Sequence, residues 1–354
     1  MRNSGKGTSY KNYRLSVLMI GTAAITLSCD TTNDPELVAP TAINEPAYAL
    51  AGGFSGWSPA VRVESQPGTH PEFNTAFLDG CPLRSRDDKS FYMASNRPGG
   101  LGGIDIWVST RASENDPWGA PANLGAPINS TADDFCPTID RDGHRFFFVS
   151  ARATWAGGAA CGGPDIYVTR FRGDGSVEEP QNLGCDWNGG PNSAGAEASP
   201  SPLPESGSGP VLYFSSARAG GFAAEAGAPA DADLYVSRSD GGKYRRAELV
   251  PGVNTAFDDS QPNVRRDGLE IFFFSNRPGG FGMADIYSAT RARTSDSWSV
   301  PTNLGASVNS AVADTRPSVS WDGTSLVFGS TRPGGEGSSD IYITTREPLT
   351  GGGN

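Results

Sequence analysis

The chain has 354 residues, 46 of them Gly and 27 Pro, and a formal net charge of −11. That length with so many turn formers suits a single core of many short strands and argues against stacked helix pairs. An acidic surface repels phosphate backbones, which argues against nucleic acid as a partner.

Residues 1–28 read as a signal peptide, in which Arg2, Lys6, Lys11 and Arg14 lead an apolar run from Leu15 to Leu27. That run is short for a membrane span, and no later stretch is longer. Four cations and no anions leave with it, so the charge of the remainder falls from −11 to −15. Thr26-Leu27-Ser28-Cys29 resembles a bacterial lipobox, which implies a lipid on Cys29. Thr26 and Leu27 reverse the aliphatic-then-small order of that pattern, and ordinary cleavage leaving a free Cys29 is the alternative. Residues 29–52, polar and Pro-bearing without period, read as a tether.

Trp57 to Val63 reads as a strand without a partner nearby in sequence. One spacing then recurs: an Asn, an acid five positions on, and a Pro eight positions on. Its copies are Asn74, Asp79 and Pro82; Asn129, Asp134 and Pro137; Asn192, Glu197 and Pro200; Asn254, Asp259 and Pro262; and Asn309, Asp314 and Pro317. Each Pro leads to a short aromatic and β-branched run, Phe91 to Ala94 in the first copy, that closes on Ser-x-Arg. Asp267-Gly268 and Asp322-Gly323 supply hairpin turns between these strands. A third strand opens at Asp105, Asp165, Asp233, Asp285 and Asp340, and a fourth is expected from Trp118, Val177, Tyr244 and Trp298.

Four short strands, repeated, make a propeller blade. The last unit ends its third strand at Arg346, and residues 57–63 supply the strand it lacks. The expected fold is all-β: a five-bladed β-propeller of four-stranded antiparallel blades over residues 53–346, closed by the N-terminal strand and followed by a Gly-rich tail, 347–354.

The segments Ser95-Asn96-Arg97-Pro98-Gly99-Gly100, Ser275-Asn276-Arg277-Pro278-Gly279-Gly280 and Thr331-Arg332-Pro333-Gly334-Gly335 each precede an Asp-Ile-Trp/Tyr strand. Over residues 74–346 the chain resembles the TolB-type, WD-repeat-like propeller repeats. That resemblance implies a cell-envelope protein with a protein or peptide ligand at the disc face or channel. It departs from TolB in lacking an α/β domain before the propeller and in having five blades rather than six.

Raw material for catalysis is sparse. His70 and His144 are the only histidines, and no Gly-x-Ser-x-Gly elbow, His-Glu-x-x-His pair or phosphate loop occurs. No cofactor, metal or catalytic residue is therefore expected. A glycosidase needs two carboxyls in contrasting environments, whereas the acids here recur at one repeat position, so a non-enzymatic binder is expected. The Ser-x-Arg arginines are expected to clasp the third-strand aspartates, Arg97 with Asp105 and so on round the ring.

Asp79, Asp134, Glu197, Asp259 and Asp314 precede their prolines by three residues and are expected at one channel mouth. They either accept N–H bonds in their loops, the weightier reading, or form with Asp133 and Asp258 an acidic ring that attracts a cation. The expected partner is an envelope protein or cationic peptide. A carbohydrate- or peptidoglycan-binding propeller is the first alternative, and a glycoside hydrolase the second. Cys81 with Cys136, at one repeat position in adjacent units, and Cys161 with Cys185, within one unit, are the expected disulfides; four free thiols are the alternative.

Overall fold

The computed structural model describes residues 53–140, 143–172, 176–205, 209–222 and 231–349. The signal peptide, Cys29, the tether and the end of the Gly-rich tail lie outside them.

Five antiparallel sheets form the blades of a closed propeller. The first blade runs Asp79–Arg84, Ser90–Ser95, Asp105–Thr110 and Ala122–Asn123, from the channel outwards. The later blades repeat this order from Asp134, Glu197, Asp259 and Asp314, and blade 2 carries an extra hairpin, Thr154–Trp155 with Gly158–Ala159. In the fifth blade the outer strand is Val61–Arg62, paired with Ile343 and Tyr342 of Asp340–Thr345. The first and last described strands thus share one sheet, which leaves no open flank between blades.

The hydrophobic cores lie between blades. Phe146 and Phe148 of blade 2 meet Tyr92 and Ile106 of blade 1, and Phe272 and Ile286 of blade 4 meet Leu326 and Phe328 of blade 5. The closing seam joins Val63, Phe73 and Phe91 to Val327 and Ile341. Each buried Phe contributes about 1.5–3 kcal/mol, so the energy of the fold resides in the seams.

The repeated Asn fastens each seam. Asn129 accepts the N–H of Ile106 at 2.9 Å and donates to its carbonyl at 2.8 Å, so one side chain satisfies both backbone groups of the preceding blade's third strand. Asn192, Asn254 and Asn309 do the same to Ile166, Leu234 and Ile286.

Two expectations need correction. The fourth strands are two residues long and begin well after Trp118 and Trp298, at Ala122 and Thr302. Pro121, Pro180 and Pro301 directly precede three of them, and a residue without an N–H cannot extend the ladder. Trp118 and Trp298 instead lie under Arg111 and Arg291, each 4.2 Å from the ring centre.

The second correction concerns the arginines, which leave the third-strand aspartates alone. Asp105 accepts from the N–H groups of Leu101 and Gly102 and so caps the Pro-Gly-Gly loop. A Cβ at Gly100 would sit 1.9 Å from its Oδ2, which is why the second Gly of that loop is required.

Candidate functional site

Each first strand begins with the repeat acid and then bulges. The residue before each Pro has a positive φ, at Cys81 (45°), Cys136 (48°), Ser199 (47°), Gln261 (56°) and Arg316 (57°). In non-glycine residues this backbone costs on the order of 1–3 kcal/mol each. The bulge re-aims the strand so that Pro82, Pro137, Pro200, Pro262 and Pro317 line the channel.

The five acids are buried at the strand starts. Asp79 accepts from Arg97 at 2.5 Å on one oxygen, and on the other from the N–H and hydroxyl of Thr75, both at 2.7 Å. Asp134 pairs with Arg152 at 2.9 Å, Glu197 with Arg218 at 3.3 Å, Asp314 with Arg332 at 2.6 Å, and Asp259 with Arg277. Behind each guanidinium lies the third-strand aromatic, as with Arg218 at 4.4 Å from the Tyr235 ring centre. These carboxylates hold their loops, each neutralised by its own arginine. Asp133 and Asp258 likewise bond within the loops, to Ile104 N–H and the Ser260 hydroxyl.

Around this strand-start face several carboxyls are pushed up by burial, among them Glu197, Asp258 and Asp285. Asp233 goes furthest, to about 6, through burial and the nearby charges of Asp231, Asp259 and Asp258. Asp165 and Asp285 each receive a fourth-strand amide, from Asn182 and Asn303. Leu249 stands at the matching strand position beside Asp233, opposite Tyr235 as Asn303 is opposite Tyr287, so the Oδ2 of Asp233 lacks the amide that the other two receive.

A 610 Å³ cavity runs between blades 2 and 3, past Trp155, Asn182 and Tyr244, and the opposite, hairpin face carries two more. An 80 Å³ mouth on the axis is lined by Arg84, Arg86, Asp140, Arg266 and Trp321. Arg84, Arg86, Ser320 and Trp321 also line a 510 Å³ cleft along the closing seam, whose other walls include Asp87, Trp118 and Asp322. The guanidinium carbons of Arg86 and Arg266 lie 5.0 and 5.5 Å from the Trp321 ring centre, and neither has an ion pair among the described residues. The Ser85 hydroxyl holds Asp87 below the usual carboxylate range. Burial raises Asp322, but the Ser320 hydroxyl and the Thr324 N–H outweigh it and hold that group low too. The cleft thus presents indole, free guanidinium and ionised carboxylate together.

Of these hairpin-face residues the sequence marked Trp118 and Asp322, as a strand start and a turn, and none as a binding residue. The signal for two others was the turn itself: Trp321 and Arg266 directly precede Asp322-Gly323 and Asp267-Gly268. Both disulfides form, Cys81 with Cys136 across two first strands and Cys161 with Cys185 within blade 2. They are the chemistry of an exported protein.

No family model and no curated relative matches the sequence. Solved structures do share the fold. A thermostable family-43 glycoside hydrolase matches with a TM-score of 0.51 at 13% identity, over 77% of this chain and 90% of its own. An alpha-L-arabinofuranosidase from Lactobacillus brevis matches at 0.49 and 13%, over 82% and 94%. TolB from Acinetobacter baumannii matches at 0.42 and 14%, over 77% and 55%.

The chain shares its propeller fold with a family-43 glycoside hydrolase. The expectation of a non-enzymatic chain is overturned by the glycoside hydrolase that shares this fold. Repeat symmetry had argued against chemistry, but such a ring of like blades serves an enzyme, and the environments of the carboxyls here are not alike.

Proposed function

We propose that this propeller binds carbohydrate on its hairpin face, in the seam cleft that opens into the channel mouth. The observation that carries the reading is the cleft: Trp118 and Trp321, partly exposed beside the arginines stacked on them, give its wall apolar surface for sugar C–H groups, while Arg86, Asp87 and Asp322 offer donors and acceptors to hydroxyls. At 510 Å³ it has the size of a small-ligand site. The hydrolase on this fold supports the ligand class by analogy. A cationic peptide at the strand-start ring would find its five carboxylates already paired with arginine.

A glycan array probed with the labelled protein tests this directly. Capture of a defined glycan class, lost in Trp321→Ala, supports it; an empty array, or capture indifferent to Trp321, removes it.

Glycoside hydrolysis is the second reading, and Asp233 favours it. A carboxyl with a pKa of about 6, beside the ionisable Asp258 and Asp231, suits a general acid. Release of chromophore from a panel of chromogenic glycosides, abolished in Asp233→Asn, would show it. As to address, the disulfides support export, and the lipobox resemblance supports a lipid on Cys29.

A further inference from the structure

At the strand-start end of the channel the charges can be paired off one by one. Arg97, Arg152, Arg218, Arg277 and Arg332 each take one repeat acid, which leaves that ring neutral. Arg316 is a sixth guanidinium at this level. It has no hydrogen bond or ion pair among the described residues, and its Nε is sealed from solvent without an acceptor. The rest of the guanidinium is partly exposed, into the axial channel, and a half-buried cation with a sealed, unbonded Nε points to a counter-ion there.

The surroundings are shaped for one. Arg316 belongs to blade 5 but reaches across to blade 1, where its Nη1 would lie 3.0 Å from a Cβ at Gly80. The matching positions in the other blades are Phe135, Ala198, Ser260 and Thr315, so only blade 1 leaves this room. Arg316 then lines a 30 Å³ axial cavity with Ser199, the Cys81–Cys136 disulfide and the ring of prolines. Prolines bring no N–H, so the donors in this wall are side chains: Arg316, the only cation among the described residues that line it, with Asn263 and the hydroxyls of Thr138, Ser199 and Ser318. Burial pulls the Arg316 pKa down, and no carboxylate offsets it.

We propose that Arg316 binds one small monovalent anion on the propeller axis, a halide or the carboxylate of a small acid. The cavity admits about two waters' worth of volume and is too small for a sugar ring. The site lies on the axis inside the hairpin-face mouth, with which it shares Leu83, Thr138 and Asn263. None of its residues lines the seam cleft itself, and a small anion and a glycan are titrated separately, so it stands or falls apart from the glycan reading.

The test is calorimetric titration of the anion-free protein with sodium chloride and, separately, sodium formate. The background salt is sodium 2-(N-morpholino)ethanesulfonate at constant ionic strength, because that anion is too large to enter. One-site saturable binding of either anion is expected, weakened at least tenfold in Arg316→Gln and partly kept in Arg316→Lys. The preferred anion tells a halide site from a carboxylate site. Thermal unfolding supplies a second readout: the melting temperature of the native protein rises saturably with the bound anion but not with the bulky one. In the bulky salt Arg316→Gln is expected to be at least as stable as the native protein, an order that a purely structural arginine would not give. No saturable binding by the native protein, or equal binding by Arg316→Gln, overturns the proposal. Should Arg316→Gln not fold, melting temperatures that are equal in all three salts overturn it.

Discussion

Asn74 bonds both backbone groups of Ile341, although 267 residues separate them. This is the seam clamp of the other four blades used across the ends of the chain. Its Oδ1 takes the Ile341 N–H at 2.6 Å and its Nδ2 gives to the carbonyl at 3.1 Å. The spacing that marks a repeat in sequence is therefore the spacing that joins one blade to the next.

Replacing the clamp orphans a buried donor and a buried acceptor, each costing about 1–3 kcal/mol. Asn309→Ala and Asn74→Ala are each expected to lose about 2–5 kcal/mol of unfolding free energy, measured by urea denaturation. Losses below 1 kcal/mol would mean that water replaces the side chain and that the clamp is dispensable.

The acid ring makes a separate prediction. Asp134→Ala leaves the Arg152 guanidinium, 11% exposed, without its carboxylate, and breaking such a pair costs about 3–5 kcal/mol. Stability should fall by that order while glycan capture by the folded protein is unchanged. Capture that falls while stability holds would return the ring to a ligand role.

Asp233 gives a pH dependence of known sign. Its folded pKa, about 6, lies above the ordinary carboxyl value, so the folded state holds the proton more tightly than the unfolded chain. The stability this supplies is complete below about pH 4 and is lost as pH rises through about 6. Leu249→Asn is designed to restore the donor that Asn303 gives to Asp285 and to lower that pKa. Denaturation midpoints of the two proteins should diverge between pH 4 and 7, with the variant gaining at the upper end. Parallel curves would show that Leu249 is not the cause.

The blades, their number, the closing strand and both disulfides were legible because each depends on position within a repeat. Partner choice among charged groups was not. Arg97 stands eight residues before Asp105 and 18 after Asp79, yet it bonds Asp79, because the first strand, before its bulge, pairs that acid with Ser95 at the Ser-x-Arg corner. The same bulge hid Arg316: a residue before a proline is expected in extended backbone, and its αL conformation is what carries its side chain across to Gly80. The hairpin face was hidden for another reason. Trp321, Arg86 and Arg266 come from three different blades, and only ring closure brings them together.

The central claim is that the seam cleft is a carbohydrate site, and the most direct measurement is a calorimetric titration of the native protein, Trp321→Ala and Arg86→Ala with the best glycan from the array. Loss of an aromatic platform or a free guanidinium should weaken binding about tenfold or more, equivalent to about 1.4 kcal/mol, with melting temperatures little changed. Native-like affinity in both variants, or saturable binding of no glycan at all, would contradict the account.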